Sequence, residues 1–528
     1  MELAPSVKKL SSEYQRWYQS IQPQEGVPTI VVDEVAAKVA SFYEKIRGVV
    51  DWREEHLLRK TAIERILKRR ILLKKSEDFA EPFLQELIRG GHFPNERIPI
   101  TKIEEIQKIV EKYFYFLDHV PQKGSEPVLA ELRMWLLGIA ASEIEETLAP
   151  PIRERALMEF MAEEMKERVV FENGKSISEE ERNTQIAVAV QRALFKLDEI
   201  TISYHLLEQR YHDWKTPSSA TLQQLAPQLP QIKNELQNVI RHPLAERFYQ
   251  LMEKHDSPYL IVGDILTIHP IEFEQFSLDA HAMENAVQEC YIARLQKLKG
   301  RMHRAAVYST LSVFLTKVLI GFSIEIPLDK YVTGDFNQMA LWVSVAIPSL
   351  LMLLLVLSTK TTTEENFQRL MMGVMKISYG KKNGEVLEIP LMRRKRPMIE
   401  NFINIIYLLS FIFTFGFISW VLWQFNFSIL SILIFLFFIS LVAFAGTKIR
   451  QRGQELIIGK EKQGFLYTIF DLFSLPIIHT GGWLSRQVAR YNILIVIFNF
   501  LIEVPFQVFI EFLEQWRSFL REKREEVH

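Results

Sequence analysis

From Asn401 to Thr447 the chain runs for 47 residues without one charged side chain. A bilayer core of about 30 Å takes roughly 20 apolar residues per helix. The run is too long for one crossing and suits two, with WQFNFS (423–428) as the turn between them. Two further apolar segments precede it. Residues 336–359, FNQMALWVSVAIPSLLMLLLVLST, carry no charge, and Pro348 within them is tolerable where neighbouring helices satisfy the carbonyls it frees. Residues 305–324, AAVYSTLSVFLTKVLIGFSI, form a weaker span because Lys317 lies inside it.

The short connections carry Lys and Arg in alternation. Arg294, Lys297, Lys299, Arg301 and Arg304 precede the first span, and Lys330 alone follows it. Loop 360–399 holds nine basic residues, the 423–428 turn none and 448–462 five. Because cytoplasmic loops retain Lys and Arg, the pattern predicts four spans in two hairpins, in a plasma (inner) membrane, with both termini cytoplasmic. The N-terminus lacks the apolar core of a signal peptide, which agrees with that side. Cys290 is the only cysteine, so an intramolecular disulfide is excluded and a reducing compartment is compatible.

Charged residues crowd the first 300 positions, whereas 63 Lys and Arg against 64 Asp and Glu leave no net pull toward nucleic acid. The predicted fold is therefore all-α: a multi-pass α-helical membrane protein with a large helical cytoplasmic N-terminal module at 1–304. The first transmembrane hairpin falls at 305–359, a basic loop at 360–399, the second hairpin at 400–447 and an amphipathic or re-entrant C-terminal module at 448–528. In the basic loop, Asn383-Gly384 between KISYG and EVLEI predicts a small β-hairpin. Arg393, Arg394, Lys395 and Arg396 set topology there and are candidates for anionic lipid headgroups.

In the C-terminal module, FLYTIFDLFSLPII (465–478) is short for a span, and HTGGWLSRQ after it reads as a break at Gly481-Gly482. In 491–516, Glu503, Gln507 and Glu511 share one polar stripe on an otherwise apolar helix. A lipid-facing carboxylate at the bilayer centre costs at least about 2.5–3.5 kcal/mol. The segment therefore reads as an amphipathic helix at the cytoplasmic interface, or one packed re-entrantly.

Residues 1–300 contain amphipathic helical segments at 33–48, 52–75, 102–118, 126–147, 152–168, 179–213, 232–253 and 278–304. Segment 53–75 is basic and apolar by turns, so its apolar side packs at home or docks on acidic partners or lipid. His205, Glu208 and His212 stand at i, i+3 and i+7, a spacing that could hold a divalent metal on one helix face. The sequence lacks GxxxxGK[ST], HExxH, GxSxG and GxGxxG, and no cofactor is expected. The leading expectation is a membrane scaffold, adaptor or sensor presenting its helical module to a protein partner, with a homo-oligomer allowed. The alternative is a small ion or proton channel or transporter using Lys317 and the Glu503 stripe; a membrane enzyme comes third.

Overall fold

The computed structural model describes residues 3–22, 26–32, 55–72, 79–121, 125–171, 177–333, 338–357, 364–380, 386–389, 397–453 and 465–491, with Phe512 and Trp516. It is all-helical, with two three-residue strands among the described residues. The chain divides into two compact units. The first holds Met1–Met283 and Val374–Leu391, the second Glu284–Gly373 and Met392–Asn499.

The first unit begins with α1 (Pro5–Ser20), α2 (Glu55–Leu72), α3 (Ala80–Arg89), α4 (Thr101–His119), α5 (Glu126–Leu148) and α6 (Ile152–Arg168). Strand β1 (Val169–Phe171) follows, then α7 (Glu179–Phe195), α8 (Glu199–Arg210), α9 (Ser219–Leu225), α10 (Leu229–Ile240) and α11 (Ala245–Ile268). Local chemistry sets the ends. Pro127 occupies the first turn of α5, where its missing amide costs no bond, and Pro150-Pro151 follow the helix. Segment 179–213 is two helices, not one. Lys196 takes a left-handed φ of 51° to close α7, and the Asp198 carboxylate accepts the Thr201 amide to open α8.

The main core of this unit gathers apolar faces from α2, α3, α4, α5, α8 and α10 around Phe116 and Trp214, whose rings stack 5.6 Å apart. The basic helix α2 belongs to that core. Ala62, Ile63, Ile66 and Leu67 are buried, while Arg59 and Lys60 pair with Glu145 and Asp198, and Arg69 and Arg70 with Glu86. Its apolar side packs at home and these four cations meet carboxylates of the same unit.

Helix α12 (Ala280–Ile320) is followed by α13 (Gln338–Leu357) and α14 (Glu364–Tyr379). The expected hairpin at 376–389 is not formed. Lys376–Tyr379 end a helix, and β2 (Leu387–Ile389) pairs in parallel with β1, Val169 opposite Leu387. The Asn383-Gly384 turn lies outside the described residues. A distant strand edge supplied the partner that the local turn signal assigned to the neighbouring segment.

The second unit is completed by α15 (Pro397–Gln424), α16 (Ile429–Gly453) and α17 (Phe465–Tyr491). Among the described residues four helical stretches are long and apolar enough to cross a membrane: Ala280–Ser323, Gln338–Leu355, Asn401–Gln424 and Ile429–Gln451. Each overlaps one of the stretches expected as spans.

Helix α17 corrects the reading of 465–487. It is one helix of 27 residues passing through Gly481-Gly482 and packing on α15 and α16. A Cβ on Gly481 would stand 1.9 Å from the Ser440 carbonyl oxygen, and one on Gly482 3.1 Å from the Phe444 ring. These glycines let two backbones approach, as small residues do where apolar helices pack; they do not end the helix.

A buried ion pair and a capped carboxylate in the apolar unit

Lys317 was expected to be a costly charge inside the first span. It is fully buried at 0 % exposure, and its Nζ donates to Oε2 of Glu325 at 3.0 Å. The ammonium also lies 5.3 Å from the centroid of the Phe438 ring of α16, within cation–π range. Glu325 is 1 % exposed, and its second oxygen, Oε1, has no hydrogen-bond partner among the described residues.

Eight residues separate the pair, and a regular helix would place them about 80° apart. The backbone corrects that angle. Gly321–Glu325 form a widened turn in which the Ile326 amide donates to the Gly321 carbonyl, five residues back. Pro327 follows immediately and cannot donate to the Ser323 carbonyl. A regular turn plus one wider turn spans about eight residues, which brings Glu325 beneath Lys317.

A second widened turn, Asp329–Thr333, carries the buried Asp329. Its carboxylate accepts from Ser428 Oγ at 2.6 Å and Ser431 Oγ at 2.9 Å. Ser428 precedes α16 and caps it, its hydroxyl oxygen accepting the Ser431 amide at 3.1 Å. Asp329 thus sits at a helix N-terminus, where aligned backbone dipoles favour negative charge. Neither Glu325 nor Asp329 was singled out in the sequence; the available signal was two acids within twelve residues of an embedded lysine.

Around these groups buried hydroxyls sit among buried apolar side chains such as Met352, Phe435 and Val442, and the outer surface is apolar. Ser344, Ser349, Ser410, Thr414, Ser431 and Ser440 are buried. Leu319 (66 % exposed), Trp420 (59 %), Phe413 (58 %) and Leu433 (60 %) point outward. Glu503, Gln507 and Glu511 lie outside the described residues, as do Arg393, Arg394, Lys395 and Arg396. The partner seen for Lys317 is Glu325. Phe512 and Trp516, from the same C-terminal stretch, stack with centroids 6.2 Å apart.

The first unit buries charge as well. Lys112 donates to Glu143 Oε1 at 2.5 Å and to the Trp214 carbonyl at 2.8 Å; the Tyr113 hydroxyl donates to Glu143 Oε2 at 2.6 Å. Burial pushes Lys112 below the usual lysine range, against the opposing pull of Glu143, and burial pushes Tyr113 up. Burial likewise raises Glu145 to about 7 although Arg59 opposes it. These groups are enclosed by core side chains, and their arrangement is that of internal ties between α2, α4 and α5.

The metal reading of His205, Glu208 and His212 is not supported. Helix α8 ends at Arg210, so His212 leaves the face that the spacing assumed. His205 Nε2 faces Glu146 at 2.5 Å and its Nδ1 faces Gln191 at 2.7 Å, while Glu208 pairs with Arg155 and Lys215. Among the described residues no group of three or more His, Cys, Asp or Glu is placed to hold a metal ion.

No family model matches this sequence, no curated protein matches it, and no solved structure matches it.

Proposed function

We propose that the chain is an integral membrane scaffold, adaptor or sensor. In this reading α12, α13, α15 and α16 cross the bilayer and the helical first unit is presented to a cytoplasmic protein partner. The observation that carries the membrane placement is the apolar outer surface of the second unit around an enclosed ion pair. Lys317 and Glu325 are enclosed while leucine, phenylalanine and tryptophan cover the outside. In water that distribution is unfavourable on both counts. In hydrocarbon, which cannot solvate ions or hydroxyls, it is the favourable one. The basic loops support a plasma or inner membrane location with both termini in the cytoplasm and anionic headgroups beside the loop at 393–396.

The adaptor role rests on the first unit, which has its own core and an exposed helical surface, together with a sequence that lacks the catalytic motifs sought. A reporter active only outside the cytoplasm, fused after His528 or inserted at 334–337, tests placement. Signal is expected at the insertion and not at the C-terminus; the reverse pattern ends the topology. In-cell cross-linking followed by purification of the full chain tests the role. A stoichiometric protein partner captured through the first unit is expected, and a chain that purifies alone under saturating cross-linking defeats the scaffold reading.

A second reading, a small ion or proton conductor, is favoured by one observation: the Lys317–Glu325 pair lies among helices of membrane-crossing length. Proton or cation flux in liposomes holding the full chain, abolished by Lys317→Leu, is its expected signature. Flux no greater than in empty liposomes removes it.

A further inference from the structure

We infer that one face of α12 binds an anionic phospholipid of the cytoplasmic leaflet, its phosphate against Arg304 and an acyl chain along Val307, Leu311 and Leu315. The inference rests on the membrane placement proposed above and concerns a different surface from the loop at 393–396. Three features carry it. Helix α12 runs unbroken from Ala280 to Ile320, so it passes from a charged stretch into an apolar one without a turn. At about 100° per residue, Lys297, Arg301, Arg304, Leu311 and Leu315 share a sector of about 80°, and Val307 borders it. Lys297, Arg304, Val307, Leu311 and Leu315 are exposed, and Arg301 is half-buried.

The opposite side of the helix behaves differently. Lys317 falls about 160° from the centre of that sector and turns inward, onto Glu325 and the Phe438 ring. The stripe is the face that α12 leaves to its surroundings, first cationic and then aliphatic. Its dimensions fit one lipid. Val307 stands about 4.5 Å along the axis from Arg304, and Leu315 about 12 Å deeper, within the roughly 15 Å of one hydrocarbon leaflet. A guanidinium matches phosphate oxygens with two parallel N–H bonds. Arg301 and Lys297, one and two turns further from the apolar stretch, add long-range attraction to an anionic headgroup. Arg304 has no acidic neighbour along its own helix. The chain holds no Asp or Glu between Glu289 and Glu325, and Glu289 lies about 22 Å from Arg304 along the axis. Helix α14 meets α12 where Phe367 faces Tyr291, about 20 Å from Arg304, and there Glu365 is paired with Arg369.

The test reconstitutes the full chain in phosphatidylcholine vesicles with a trace of phosphatidylglycerol carrying a photoactivatable acyl chain. Phosphatidylcholine bearing the same chain is the neutral comparison, and cross-linked peptides are read by mass spectrometry. The peptide holding Val307–Leu315 is expected to take at least about fivefold more label from the anionic probe, the effect of one basic residue at an anionic surface. Arg304→Gln should bring the ratio close to one, and Arg304→Lys, which keeps the charge, should retain most of it. Lys299→Gln, on the far side of α12, and Lys448→Gln, at the end of α16, each remove an exposed cation elsewhere and should change the ratio less than about twofold. Equal labelling by both probes, a ratio that Arg304→Gln leaves unchanged, or an equal fall in the Lys299 and Lys448 variants overturns the inference. Label from neither probe anywhere in 305–324 refutes the membrane placement, whereas equal label from both refutes the headgroup site alone.

Discussion

The hydroxyl of Ser410 donates to the carbonyl oxygen of Leu472 at 2.7 Å. Leu472 stands four residues before Pro476, which has no amide to offer that oxygen. Thr414, one turn further along α15, donates to the next carbonyl, Phe473, at 3.2 Å. A neighbouring helix thus restores what proline removes, the route by which proline is tolerated where water cannot enter. Ser410→Ala is expected to destabilise the α15–α17 contact by about 0.6–1.7 kcal/mol. In a Pro476→Ala background, where an amide can serve Leu472, the same change should cost less. Unfolding in micelles, arranged as a double-mutant cycle, reads the difference; equal costs in both backgrounds contradict it.

Gly481 and Gly446 separate backbone from side-chain crowding. An added methyl at Gly481 meets the Ser440 carbonyl at 1.9 Å, which cannot yield without moving a helix, whereas at Gly446 it meets the Leu355 side chain at 2.6 Å. Gly481→Ala should therefore lower thermal stability more than Gly446→Ala, whose neighbour can change rotamer. Equal melting shifts would show that α16 and α17 do not approach this closely.

In the first unit, Lys112→Met should cost about 3–5 kcal/mol, because it strands the Glu143 carboxylate at 1 % exposure. Lys112→Met combined with Glu143→Gln should recover part of that loss, since the uncompensated charge is gone. Hydrogen exchange of α4 and α5 amides in the full chain measures both. A double variant as weak as the single one argues that shape, not charge, sets the cost.

Glu145 gives the same unit a pH dependence. Its folded value is raised to about 7 from an ordinary 4.5, so the folded state holds the proton more tightly than the unfolded chain does. Stability from this group is complete below about pH 4.5 and declines as pH rises through about 7, a change on the order of 3 kcal/mol. Glu146, Asp198 and Glu208 are shifted down instead, so their contributions are lost as pH falls and belong to more acidic conditions. Glu145→Gln should flatten the slope between pH 4.5 and 7 while leaving the acid limb in place. Exchange protection of α5 amides that falls equally in variant and wild type would assign the slope elsewhere.

The apolar helices were legible because long uncharged runs stand out along the sequence at the length a bilayer crossing needs. Lys317 was legible for the same reason. Its partner was not: regular helical spacing turns Glu325 away, and only the widened turn before Pro327 turns it back. Local rules also failed where distant packing decided the outcome. Gly481-Gly482 carries the signal of a break, yet what it answers is Ser440 of another helix. Asn383-Gly384 carries the signal of a turn, yet Leu387–Ile389 finds its partner at Val169–Phe171. His212 was drawn onto a metal-binding face by a helix that ends two residues before it.

The β1–β2 pairing has a consequence for biosynthesis. Val169–Phe171 leave the ribosome early and wait for Leu387–Ile389, which emerge only after α12 and α13 have been translated. The first unit cannot acquire its last pieces until α12 and α13 have been made. Completion of the first unit is thereby tied to synthesis of the apolar helices between its two strands, and a chain stalled before that point carries an unclosed seam.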